Sequence, residues 1–439
     1  MQKTTTLKSG LKLITAPMRG TKTAAILVMV GTGSKYEKKE NNGISHFLEH
    51  MFFKGTKKRP DTFNISSALD GIGAEFNAYT SKEYTGYWVK ATAEKIELGM
   101  DVLSDMLFNS KIEEKEIARE KGVIVEEYNM YLDNPMAHIE DIFEELLYGD
   151  TPAGRWTIGP KKNILKFKRK DFIDYLNSQY GARNITIVLA GNISSKEKEI
   201  KRKLEKYFSG AILDSRGNNF YEKEKVLEYQ SSPQCLMEYK KTDQAYLVLG
   251  CRACSFADEK KSAARMISII LGGGMSSRLF LSLRERNGLA YSVHTDCESY
   301  TDSGYVATRA GVPIGKIFQA IDIILDEYKK IKTKLVSHAE LQRAKDMLSG
   351  HVAIQMEESD NMANWFGRQA AMIDATKRTD PKAKNLKLLS PEEHLLEIKK
   401  ITAKDIQRVA QEIFTPKNLN LAVIGPFKDK KKFEKLLRV

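Results

Sequence analysis

"KDFIDYLNSQYGARNITIVLAGN", residues 170–192, recurs in outline as "KDIQRVAQEIFTPKNLNLAVIGP", residues 404–426. Lys170 meets Lys404, Asp171 meets Asp405, Asn184 meets Asn418 and Gly191 meets Gly425, all at one shift of 234 positions. Each copy reads as a helix, a short turn and an apolar strand closed by glycine. Solenoid repeats run only about 20–50 residues, so a period this long signals a duplicated domain. The spacing predicts halves at 1–213 and 234–439, joined by the polar, turn-rich linker 214–233.

Outward from the repeat, strands and helices mix without steady alternation. "GAEFNAYTSKEYTGYWVKA" (73–91) and "GLAYSVHTDCESYTDSGYVAT" (288–308) each read as two strands joined by a turn, with helices following. This predicts an α+β fold: two duplicated domains, each a mostly antiparallel sheet packed with helices. The apolar run "AAILVMV" (24–30) fits a buried strand and is far too short to cross a bilayer.

Composition narrows the classes further. A chain of 439 residues exceeds what one core usually fills, and 42% hydrophobic with 29% charged residues is ordinary for a globular protein. The net charge of +13 is spread along helical faces such as "KIEEKEIAREK", which argues against a nucleic-acid site. Residues 111–150 run the other way, with 12 Asp/Glu against 4 Lys/Arg. The opening "MQKTTTLKSG" lacks the apolar core of a secretory signal. Cys235, Cys251, Cys254 and Cys297 have no matching Cys/His pair for a structural zinc site. They read as reduced thiols and predict a reducing compartment, a bacterial-type cytoplasm first, with a mitochondrial matrix or other reducing compartment as alternatives; the short apolar runs predict no membrane partner.

The chemistry concentrates in "GISHFLEHMFFKGT", residues 43–56. On a helix His46 and His50 stand one turn apart on one face, where two imidazoles reach a single metal ion, zinc (Zn2+) by preference. Glu49 borders that face and can take a proton from water, a combination suited to metal-assisted hydrolysis. The order is the inverse of the commoner His-Glu-x-x-His. A third ligand is required, and "IEEKEIAREKGVIVEEYNMYLDN" (112–134) reads as a helix offering Glu120, Glu126 and Glu127. Glu120 and Glu127 lie two turns apart on one face, so one could bind the metal and the other steady an imidazole. Spacing alone leaves those two roles interchangeable.

His46-Phe-Leu-Glu49-His50, with Glu127 following after 76 residues, resembles the inverted-zincin peptidases related to pitrilysin, insulysin and the mitochondrial processing peptidase. "GAEFNAYTSKEYTGYW" and "VIVEEYNMYLDNP" resemble the active-site half of that family as well. The resemblance implies His46, His50 and Glu127 as zinc ligands, Glu49 as general base and Glu120 as a further catalytic glutamate. It implies that Asn77 and Ala78 in "EFNAYT" lie on an edge strand beside the scissile bond. "SSRLFLSLRERNGLAYSVHT" (276–295) resembles the companion domain, whose substrate-binding arginine and tyrosine match Arg284 and Tyr291. Asp141 matches an acidic subsite position of processing peptidases, and with the acidic balance of 111–150 it predicts a preference for basic peptides.

Two duplicated domains correspond to the half-size members, which pair. A homodimer with sites completed in trans is expected, with a heterodimer with a related subunit as the alternative. The activity so implied is zinc-dependent endopeptidase cleavage of peptides or unfolded, presequence-like segments inside a chamber. The rival is a non-catalytic scaffold or peptide-binding subunit of the same fold, whose mark would be loss of a ligand or of Glu49. Neither is lost.

Overall fold

The strand Thr23–Val30 carries apolar side chains on both faces, and every residue after Thr23 is buried. Such a strand belongs in the middle of a sheet covered on both sides. The computed structural model describes residues 2–193, 197–208 and 220–438 and puts it there. Six strands form the first sheet: β1 (Lys3–Thr6), β2 (Lys12–Pro17), β3 (Thr23–Val30), β4 (Glu75–Thr80), β5 (Thr85–Thr92) and β6 (Ile185–Gly191), in the order β1-β2-β6-β3-β5-β4. Five form the second: β7 (Gln234–Tyr239), β8 (Gln244–Arg252), β9 (Val293–Ser299), β10 (Gly304–Pro313) and β11 (Leu419–Gly425), in the order β7-β11-β8-β10-β9. Without β1, the two orders are the same topology read twice. Each sheet has one parallel pair, β2 with β6 and β7 with β11, and is otherwise antiparallel. The repeat seen in the sequence is therefore the strand pair β6 and β11 with the helices Arg169–Gln179 and Ala403–Ile413 before them.

The compact units do not follow the two halves of the sequence. One comprises Met1–Tyr128, Trp156–Glu224 and Ala353–Pro391; the other comprises Asn129–Arg155, Lys225–Val352 and Glu392–Val439. Each sheet thus takes a helix from the opposite half. In the first unit Ile26, Val28, Ile187 and Leu189 face a core with Met100 and Leu103 of helix Ile96–Asn109. The alternate residues Leu27, Met29 and Val188 pack against Ala363, Phe366 and Ala370 of helix Ser359–Thr379. A Cβ on Gly367 would meet Leu27 Cδ2 at 2.7 Å, so glycine lets this helix lie close on the sheet. In the second unit Ile139, Ile142 and Phe143 of helix Pro135–Tyr148 cover Val248, Ala307 and Ile424.

Part of the expected linker, 214–219, lies outside the described residues. The rest is irregular, and its first residues belong to the first unit. Lys223 Nζ sits 3.4 Å from Glu83 Oε1, and Arg378 Nε donates to Glu222 at 2.9 Å. All four cysteines are free thiols. No helix among the described residues is long and apolar enough to cross a membrane.

Because its second cover is encoded late in the chain, the first sheet depends on residues 353–391. Phe366→Ala is expected to cost about 3–5 kcal/mol, read as a lowered urea midpoint of the full chain. A chain ended after Glu224 is expected to bind a hydrophobic dye and aggregate, since the Leu27 and Met29 face is left open to water.

Candidate active site

Helix Ile44–Phe52 is amphipathic, and its two faces have separate jobs. Phe47, Leu48, Met51 and Phe52 are buried, with Phe47 packed on Phe172 and Phe52 on Tyr87. The opposite face carries His46, Glu49 and His50, all partly exposed. The helix ends at Phe52, and the chain turns at Gly55, whose φ is +124°. At its other end Gly43 adopts φ +101°, and the fully buried Glu37 carboxylate accepts from Gly43 N at 2.7 Å and Ser45 N at 2.8 Å. The amides of a helix N-terminus lack intrahelical partners, and Glu37 satisfies two of them. Burial pushes the Glu37 carboxyl up, opposed by these bonds and by one from Asn42.

The second element is helix Glu114–Asp133, held to the core by Ile117 and Ile124. It presents Glu120 and Glu127 towards the histidines. Glu127 Oε1 lies 3.5 Å from His46 Nε2, and Glu127 Oε2 lies 3.4 Å from His50 Nε2. These separations are long for hydrogen bonds. Each is close to the separation of about 3.4 Å between neighbouring ligands about 2.0–2.1 Å from zinc, with one Glu127 oxygen turned to each imidazole. One donor atom from each of His46, His50 and Glu127 lies within 4.8 Å of the others, the only such group among the described residues. Two imidazole nitrogens with one carboxylate form a donor set of the catalytic-zinc kind. The residues present therefore fit the ion that the motif implies.

Around this set the structure adds partners. His50 Nδ1 is 2.9 Å from Glu120 Oε1, and Lys54 Nζ is 2.7 Å from Glu120 Oε2. Glu120 is 2% exposed, so both its oxygens are matched by neighbours rather than by water. Glu120 and Glu127 flank the His50 imidazole, one at each nitrogen. Burial alone would lower that imidazole, but Glu120 and Glu127 outweigh it and hold it at about 9. Burial opposes ionisation of Glu127 and Glu120, yet His46 and His50 bring Glu127 well down, and His50 with Lys54 brings Glu120 down. Glu49 accepts a hydrogen bond from Thr80 Oγ1 at 2.6 Å, at the end of β4. Two glutamates that spacing left interchangeable thus occupy different places: Glu127 faces both Nε2 atoms, and Glu120 faces only the Nδ1 of His50.

Asn77 and Ala78 sit in β4, at the edge of the first sheet, where Ala78 N donates to Asn77 Oδ1 at 2.8 Å. Asp141, Arg284 and Tyr291 belong to the second unit. There the Arg284 guanidinium lies 5.0 Å from the Tyr291 ring centre and Nη1 donates to Tyr291 O at 3.2 Å. Tyr291 as a residue is 81% exposed. The acidic stretch 111–150 is divided between the units, and Glu113, Glu116, Glu140 and Asp150 are engaged in ion pairs. Glu37, Lys54 and Thr80 had no mark in the sequence, although Lys54 stands four residues after His50, one helical turn on.

Substituting His46 by Ala or Glu127 by Gln is expected to reduce bound zinc from about one per chain towards none after dialysis. Atomic emission would measure the metal, and far-UV circular dichroism should be unchanged.

Comparison with known proteins now places the chain. Residues 13–161 match the model for insulinase (peptidase family M16), and residues 166–348 match the peptidase M16 inactive domain. An uncharacterized zinc protease of Bacillus subtilis is 31% identical over 97% of this chain and 98% of its own length. One from Rickettsia bellii is 32% identical, covering 96% of both. Among solved structures, a protease from Helicobacter pylori superposes with a TM-score of 0.86 at 21% identity, over 97% of this chain and 99% of that one. A chain of complex III from Candida albicans reaches 0.80 at 16% identity, covering all of both. At such identities these structures speak to the fold alone. Relatives above 30% identity that match it nearly end to end make the chain a member of the insulinase family of peptidases, family M16.

Proposed function

We propose that this protein is a zinc-dependent endopeptidase acting on extended peptides or unfolded segments. The observation that carries the reading is the convergence of His46, His50 and Glu127, one donor atom of each within 4.8 Å of the others, with the Glu49 carboxylate on the same helix face as the histidines. Zinc held there would supply Lewis acidity towards a peptide carbonyl and acidify water. Glu49 takes the proton from the attacking water and returns it to the departing amine. Thr80 fixes the plane of the Glu49 carboxylate through Oε2. Glu120 accepts the Nδ1–H of His50, so that Nε2 keeps its lone pair for the metal.

A substrate in extended form would add to the edge strand β4 at Asn77 and Ala78, main chain to main chain. Arg284 and Tyr291 would hold a carbonyl of the peptide or its developing oxyanion. Asp141 would receive a basic side chain. We assign these last three to a second copy of the chain, in a homodimer whose sites are completed in trans. The exposed Tyr291 ring, already stacked with Arg284, supports that assignment. The competing reading is a peptide-binding subunit without catalysis.

Glu49→Gln separates the two readings. It is expected to keep about one zinc per chain while cleavage of a quenched-fluorescence peptide mixture falls by about 10²–10⁴-fold. Intact protein that binds zinc and peptide but cuts nothing would favour the binding subunit. For the trans arrangement, Glu49→Gln chains mixed equally with Arg284→Ala chains should recover about one quarter of the intact activity. Half of the dimers would then be mixed, each with one whole site. No recovery after verified exchange would mean that each chain completes its own site or needs an unlike partner.

A further inference from the structure

We infer that Lys54 is a positioning residue for the metal centre: its ammonium fixes Glu120 and, through Glu120, the His50 imidazole. The inference rests on reading His46, His50 and Glu127 as the zinc ligands. Its basis is an unbroken line of contacts. Lys54 Nζ meets Glu120 Oε2 at 2.7 Å, Glu120 Oε1 meets His50 Nδ1 at 2.9 Å, and His50 Nε2 faces Glu127 at 3.4 Å.

A carboxylate has two acceptor oxygens and one torsion that exchanges them. At 2% exposure Glu120 has little water to satisfy whichever oxygen is not on the imidazole. Lys54 takes that second oxygen, which removes the freedom of the carboxylate to rotate. With Oε2 held by Lys54, Oε1 stays aimed at His50 Nδ1, which leaves Nε2 turned towards Glu127 and the metal position. With Lys54 gone, a buried anion would be left with one oxygen unmatched, beside the second anion Glu127.

The backbone delivers the ammonium to this spot with little slack. Lys54 N donates to Met51 O at 3.1 Å, continuing the last turn of the helix that carries His50. The next residue, Gly55, is packed so closely that a Cβ would meet Pro60 O at 2.4 Å. Thr56 N then donates to Arg59 O at 2.6 Å, and Arg59 N donates back to Thr56 Oγ1 at 2.9 Å. His50 and Lys54 are therefore set by one helix end and one tight turn, and the letters "KGT" after "HFLEHMFF" are explained together. The Lys54 side chain remains 23% exposed, so its hydrophobic stem is not a core element.

The test is zinc affinity of the full-length protein, by competition with a chromophoric chelator. Lys54→Met is expected to weaken binding about 10–100-fold, the usual cost of removing an outer partner of a ligand, and Lys54→Arg to recover most of it. Glu120→Gln should show a similar loss. Lys54→Met added to Glu120→Gln should cost little more, because the amide has no charge to pair. Unfolding midpoints of the zinc-free proteins separate this from loss of the fold. Unchanged affinity in a folded Lys54→Met, or losses in the two single variants that multiply in the double, would overturn the proposal while leaving the ligand assignment standing. Failure of the intact protein to take up zinc would instead remove the ligand assignment, and this inference with it.

Discussion

A sheet with apolar side chains on both faces has to be covered twice, and much of this molecule follows from that requirement. β3 and β6 are buried almost throughout, with Ile26 and Leu189 on one side and Leu27 and Val188 on the other. The first half of the chain supplies helices for one face only. The second face is closed by Ser359–Thr379, while Pro135–Tyr148 does the reciprocal duty for the second sheet. Neither half therefore closes its own core, although each contains a complete sheet. The candidate site gains from this: the helix Ile44–Phe52 packs through Phe47 and Phe52 onto a sheet clamped from both sides.

How much of this was legible beforehand depends on the range of the contact. The duplicated segment was visible because its features are local: an acidic residue three positions after the N-cap, Asp171 and Asp405, and a closing glycine. Gly191 has φ +116°, and a Cβ there would meet Thr23 O at 2.4 Å, so the first copy needs glycine at that place. The paired strands were readable for the same reason, since strand alternation and turn residues act over a few positions. The exchange of helices was not readable. An apolar stripe on 359–379 announces that something must cover it, and not which sheet.

The candidate site divides along the same line. His46, Glu49 and His50 are a helical spacing and can be read as letters. Glu120 and Glu127 share a helix face two turns apart, and only distances to particular imidazole nitrogens tell them apart. Thr80 and Glu37 serve the same helix across 31 residues and across a loop respectively, by contacts that no periodicity encodes. What they share is electrostatic: carboxylates brought out of water, each matched by a donor fixed on another element. Glu37 is matched by helix amides, Glu120 by an imidazole and an ammonium, and Glu49 by a hydroxyl. Such pairings cost desolvation and return rigidity only when every oxygen is met.

The borrowed helix also sets an order of events on the ribosome. The last strand of the first sheet ends at Gly191, about 190 residues before the helix that closes its second face ends at Thr379. At about 5–20 residues per second, that interval is on the order of ten to forty seconds. During it, the nascent chain holds His46, His50 and Glu127 on a sheet with one face bare. Metal uptake at that stage would fall to a half-built site, and the bare face is the kind of surface that chaperones hold until translation catches up.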